Sequence, residues 1–190
     1  MIENKGIYQG NNLPHYDIKG LYQVITYRLG DALPKDMTHV ADDKTNRRVI
    51  DEVIDNGYGS CVLKIPLVAE IIIQNWQHFD KQKYDLIAYV VMPNHVHILI
   101  NTNKSFSLGQ IVHSWKSFTS KEITKQLKSS KKHLEVHNPG RQSDYWDRFL
   151  RSKEHYIRAV DYIHLNPVKA GLCRLPIDWP YSSFKKWYSN

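Results

Sequence analysis

Tyr84 to Asn101 reads YDLIAYVVMPNHVHILIN, two apolar runs split by Pro93-Asn94. Tyr84–Met92 and His95–Asn101 are rich in β-branched and aromatic residues and have the length of strands. They predict an antiparallel hairpin with a two-residue turn, although proline is not the favoured turn chemistry there. Alternation along the second strand puts His95 and His97 on one face, with Val96 and Ile98 pointing the other way into a core.

Upstream of the hairpin, Leu21–Leu29 (LYQVITYRL) reads as a strand and GDALPKD breaks it. Thr45–Asn56 carries Val49, Ile50, Val53 and Ile54 at helical spacing, and Gly57 follows as a stop. Pro66–Phe79 is a second helix, with proline at its first position and apolar residues around most of its circumference. Downstream, Ser107 opens a long helix with a capping box completed by Gln110, and Leu108, Ile111, Val112, Trp115 and Phe118 form its apolar stripe. Ser129–Ser143 is a polar, basic loop, Tyr145–Arg151 a short strand, and Ser152 caps a helix ending near Leu165, because Pro167 follows. The C-terminal IDWPYSSFKKWY is irregular, with aromatics to pack on the body.

Residues 1–20 are expected to form a mobile N-terminal segment and residues 21–190 one domain. Strand, helix, two paired strands, helix and a last strand describe an α+β, ferredoxin-like sandwich: an antiparallel sheet with helices mainly on one face. Fold alone settles no function.

Hydrophobic content of 42% and charged content of 24% are ordinary for a soluble chain. No apolar run approaches the ~18 residues of a membrane span, and the N-terminus has no apolar export segment, so a cytoplasmic chain without a membrane partner is expected. Cys61 and Cys173 fit no CxxC pattern and read as incidental thiols. The net charge of +7 favours an anionic partner, although many basic proteins bind nothing anionic; the chain is expected in the cytoplasm, associated with the nucleoid. Seven lysines between Lys104 and Lys132, against the single acid Glu122, concentrate that charge. Such a helix is often only a solvated face, and the aromatics nearby (Trp115, Phe118, Tyr145, Trp146) serve equally as stacking platforms or as core.

Two imidazoles side by side on one strand face pack poorly and grip a divalent ion well, yet a pair of surface histidines beside a turn has the same pattern. On a helical wheel, Tyr156, Ile157, Val160 and Ile163 form the expected core arc of the helix after Ser152. His155, Ala159, Tyr162 and Asn166 form a second arc, with Tyr162 about 150° from the first. A phenol beside a carboxamide there is either a nucleophile next to a ligand or a tyrosine at a surface groove.

AYVVMPNHVHILI (Ala88–Ile100) resembles the HUH motif of single-tyrosine transposases, with Val96 as the bulky apolar residue. DYWDRFLRS…HYIRAVDYIHLNPVKAGLC (Asp144–Cys173) and DWPYSSF (Asp178–Phe184) resemble its REP-associated tyrosine transposase branch. The likeness runs over roughly residues 21–184 and is weakest over 35–63.

The resemblance implies His95 and His97 as metal ligands, Tyr162 as nucleophile and Asn166 as third ligand, where more distant relatives place a glutamine. It implies Mg²⁺ or Mn²⁺, of which Mn²⁺ better suits a nitrogen-rich site. The implied activity is endonuclease and strand transfer on single-stranded DNA bearing a REP-like hairpin, through a covalent 5′-phosphotyrosine, by a monomer or a homodimer. His155 shares the face of Tyr162 and is the candidate auxiliary base. Lys116, Lys121, Lys125, Lys128, Arg141, Arg148, Arg151 and Arg158 are candidate DNA contacts. Trp115 and Trp146 would stack on bases if exposed, but large aromatics usually belong to the core. Two other classes fit parts of the pattern: a non-catalytic RRM-like binder using Tyr89, and a zinc hydrolase built on the two histidines.

Overall fold

A computed structural model describes residues 6–9, 14–18, 20–37, 47–102, 106–129 and 145–188. The hairpin is present as β4 (Asp85–Val91) and β5 (His95–Asn101), joined through Met92 and the expected two-residue turn. Neither turn residue has positive φ, so the turn is not one of the primed types. It is held from outside instead: Leu63 donates its N–H to the Pro93 carbonyl at 3.0 Å and Leu29 to the Asn94 carbonyl at 2.9 Å.

The upstream strand is β3 (Tyr22–Arg28), antiparallel to β5, and β6 (Trp146–Phe149) pairs with its other edge. The sheet order β4-β5-β3-β6, antiparallel throughout, is that of the ferredoxin-like sandwich the sequence predicts. Helix α1 (Arg47–Asp55) precedes α2 (Pro66–His78), and α3 (Leu108–Ser129) follows the hairpin. The capping box of α3 is reciprocal, with Gln110 N–H donating to Ser107 Oγ and Ser107 N–H to Gln110 Oε1. Phe118 leaves the predicted stripe and is 51% exposed.

Val96, Ile98 and Ile100 join Ile25, Tyr27, Trp76 and Trp115 in the larger core, between the sheet and α2 and α3. Within it Trp115 Nε1–H donates to the Tyr84 hydroxyl at 3.0 Å, which donates to the Trp76 carbonyl at 2.7 Å. Tyr84→Phe would strand both buried partners, so it should cost about 1–3 kcal/mol in urea unfolding.

Helix α4 (Lys153–Lys169) covers the opposite face, over Ala88, Val90 and Leu99, which puts a layer where the sequence reading placed few helices. Ser152 caps it as expected, accepting from His155 N–H. The helix does not end near Leu165 but continues through Pro167, whose missing N–H falls in the last turn. Gly171, at φ +70°, then closes a Schellman motif: Leu172 N–H reaches the Pro167 carbonyl and Gly171 N–H the Val168 carbonyl. Ile157, assigned to the core arc, is 49% exposed; His164, Asn166 and Pro167 are buried instead. The arc is shifted because the C-terminal segment packs there, with Ser183 Oγ 2.9 Å from His164 Nε2 and a short α5 (Phe184–Tyr188) against the His164 ring. The same segment covers the outer edge of β4 through Tyr181 and Ser183.

The expected mobile segment is partly built into the body. Strands β1 (Gly6–Gln9) and β2 (Pro14–Asp17) pair, His15 Nδ1 meets Asp147 at 2.5 Å, and Asp17 accepts the N–H of Leu108 at the start of α3. Pairing the buried His15 and Asp147 offsets part of the desolvation cost that either would meet alone. Cys61 and Cys173 are both free thiols. No helix among the described residues is long and apolar enough to cross a membrane.

Candidate metal and nucleophile site

The strand alternation that buries Val96 and Ile98 turns His95 and His97 to the α4 side, where both are about 1% exposed. Their Nε2 atoms stand 3.1 Å apart. Two nitrogens each ~2.1 Å from one ion lie no more than ~4.2 Å apart, so this spacing suits a shared ion. Each Nδ1 is engaged behind: His97 with Thr26 Oγ1 at 2.8 Å, His95 with Asn94 Oδ1 at 2.8 Å. Asn94 can only accept through that oxygen, so His95 carries its proton on Nδ1 and its Nε2 lone pair faces the centre. Thr26 is the register partner of His97 across β3–β5, which makes this support a consequence of sheet pairing. Thr26→Val keeps the shape and removes the hydroxyl. If the pair holds a divalent ion, this change should weaken its binding about 10–100-fold in a metal titration, with little loss of stability.

Asn166 is fully buried, with Nδ2 3.4 Å from His97 Nε2 and Oδ1 without a hydrogen-bond partner. A half-turn of the amide exchanges the two atoms and presents the oxygen to the cluster. An unpartnered buried oxygen beside two imidazoles fits a site that takes a cation. Asp55, the last residue of α1, places Oδ1 3.4 Å from His95 Nε2. One ligand atom from each of Asp55, His95 and His97 lies within 4.8 Å of the others. Partial burial, and then Asp51 nearby, raise the Asp55 carboxyl to about 6. Sequence reading missed Asp55, because an acid closing an amphipathic helix looks like any solvated residue.

Tyr162 is half-buried, its ring edge-to-face with His97 at 5.1 Å between centroids. Lys169, two turns later on α4, holds its ammonium 5.3 Å from the Tyr162 ring centre. Beside the phenol opens a cleft of about 550 Å³ between α4 and the uncovered part of β3 and β6, lined by Thr26, Trp146, Arg148, His155, Arg158 and Tyr162 among others.

The cationic candidates separate. Arg148 and Arg158 line this cleft. Lys116 lies over the Tyr27 and Tyr145 rings, and α3, which also carries Lys121 and Lys125, packs on the far face of the sheet. Arg151 stacks over Phe149. The side chain of Lys128 and all of Arg141 lie outside the described residues, as do His133 and His137. The two tryptophans part as well: Trp115 is core, whereas Trp146 is half-buried at the cleft. Tyr89, the aromatic an RRM-like binder would display, is buried against Trp76.

A family model described as "Transposase IS200 like" matches residues 63–165. The REP-associated tyrosine transposase of Escherichia coli K12 is 30% identical over 106 residues, 54% of this chain and 56% of that protein. A Haemophilus influenzae protein given the same family name is 26% identical over 117 residues, 60% of this chain and 64% of the relative. The chain thus spans less than two thirds of the length of either relative. A solved REP-associated tyrosine transposase bound to a REP hairpin has the same fold, with a TM-score of 0.57 at 19% identity, covering 90% of this chain and 81% of that one.

Proposed function

The chain belongs to the IS200-like transposases, whose family model spans more than half of it, and from that premise we propose that it cuts and rejoins single-stranded DNA beside a REP-like hairpin through a phosphotyrosine at Tyr162. The observation that carries this reading is the contact of the Tyr162 ring with His97 at the mouth of a cleft with two arginines on its walls. The hairpin enters by likeness: the solved relative of this fold is bound to one.

His95 and His97 would hold a divalent ion with Asn166 beside them, Mn²⁺ or Mg²⁺ by the mixture of nitrogen and oxygen donors. Bound there, the ion would neutralise charge on a non-bridging phosphate oxygen and make phosphorus easier to attack. Arg148 and Arg158 draw the strand backbone into the cleft by charge, with an affinity that falls as salt rises. Tyr162 Oη forms the bond to phosphorus and the bond from phosphorus to the 3′ oxygen breaks. The phenol proton leaves to a base, a role we give to His155, which lines the same cleft, and the departing 3′ oxygen takes a proton to become a hydroxyl. The phosphotyrosine keeps the ester's energy, so a second 3′-hydroxyl reverses the step and joins strands without ATP. Lys169, above the phenol ring, favours the charge that develops on Oη.

Incubation with a hairpin-bearing single strand and Mn²⁺ should give a protein–DNA adduct that survives a denaturing gel. Binding of the strand with no cleavage would leave only a nucleic-acid binder, and cleavage without any adduct would favour a metal hydrolase.

A further inference from the structure

We propose that Asp55 is the anionic ligand of this metal centre, so that α1, which precedes the family-matching residues 63–165, completes it. The inference rests on His95 and His97 being ligands. Those two imidazoles and the Asn166 amide are neutral donors, and all three are essentially excluded from water. An ion held by them alone would keep its full double charge in a buried setting, which is costly without a compensating anion. Hard ions such as Mn²⁺ and Mg²⁺ also favour carboxylate oxygen. Asp55 brings that charge to within 3.4 Å of His95 Nε2, on the side away from the nitrogens engaged by Thr26 and Asn94.

Its position is built. Asn94, fully buried in the hairpin turn, donates through Nδ2 to the carbonyl of Ile54 at 3.0 Å and to that of Tyr58 at 2.9 Å. Those carbonyls bracket Asp55. The same amide accepts the His95 Nδ1 proton through Oδ1. One side chain therefore sets both the histidine and the backbone that carries the carboxylate. Gly57, at φ +76°, donates to the Ile54 carbonyl and lets the chain turn directly after α1. Ile50 and Ile54 pack on Leu33 and fix the rotation of the helix about its axis. The Asp55 side chain is still about a quarter exposed, so a phosphate oxygen can reach the same centre.

The test needs no DNA. Mn²⁺ is titrated into the full-length protein and free Mn²⁺ is followed by its paramagnetic resonance signal. Asp55→Asn is isosteric and should weaken binding about 100-fold or more, at or beyond the top of the range for removing a supporting partner of a metal ligand. Glu52→Gln, an exposed charge on the same helix, should change it less than threefold. Comparable thermal melts would show that each variant is folded. If Asp55→Asn and Asp55→Ala bind Mn²⁺ like wild type while His95→Ala does not, Asp55 is only an ion-pair partner and the inference is overturned with the centre intact. If wild type binds no Mn²⁺, the centre itself is lost and the inference with it.

Discussion

Tyr162→Phe is expected to abolish the covalent adduct and to slow strand cleavage by roughly 1000-fold or more, the scale on which losing an attacking nucleophile acts. The variant removes one oxygen and keeps the ring. The edge-to-face contact with His97 and the packing against the smaller core should persist, because both depend on the ring. Hairpin affinity and Mn²⁺ affinity should therefore stay within about twofold, which separates a chemical role from a structural one. His155 and Arg158 share the cleft but carry no hydroxyl, so neither should substitute. A variant that still forms the adduct would mean that another hydroxyl attacks.

His95→Gln is expected to have the second largest effect, with cleavage lowered by about 100- to 1000-fold and Mn²⁺ binding lost in parallel, as for other residues that hold a catalytic ion. Glutamine keeps much of the buried volume, whereas His95→Ala would open a cavity at a residue only 1% exposed. The strand should still bind, since Arg148 and Arg158 are untouched. Raising Mn²⁺ should restore part of the glutamine variant's activity if its amide oxygen replaces the imidazole weakly. Equal cleavage by wild type and variant at limiting Mn²⁺ would remove His95 from the metal role.

The hairpin was legible because one period governs both of its consequences: alternation sends Val96 and Ile98 into the larger core and leaves His95 and His97 together. The helix caps at Ser107 and Ser152 were legible because they are local chemistry. Asp55 was not, since it meets His95 only after α1 is anchored by Asn94, a residue the sequence showed merely as half of a turn. The path of α4 beyond Leu165 escaped because the bias against helix before proline takes no account of the Schellman closure at Gly171 or the C-terminal segment packed on His164. The pairing of His15 with Asp147, 132 residues apart, left no local trace, so a polar N-terminus looked mobile. Lysine density on α3 marked charge but not direction, and the sheet lies between that helix and the histidines. For Tyr162 the wheel set the phenol apart from the arc of Val160 and Ile163, yet the ring packs against that same cluster, and its neighbour His97 became visible only with the fold.

The polarity of the covalent bond tests the central claim most directly. A hairpin-bearing single strand, labelled at its 3′ end in one sample and at its 5′ end in another, is incubated with the protein and Mn²⁺ and resolved under denaturing conditions. Attack by Tyr162 with departure of a 3′ oxygen predicts label on the protein from the 3′-labelled strand only, the 5′-labelled fragment running free with a 3′-hydroxyl that a polymerase can extend. Label on the protein from the 5′ end, or cleavage with none on the protein from either, would contradict it.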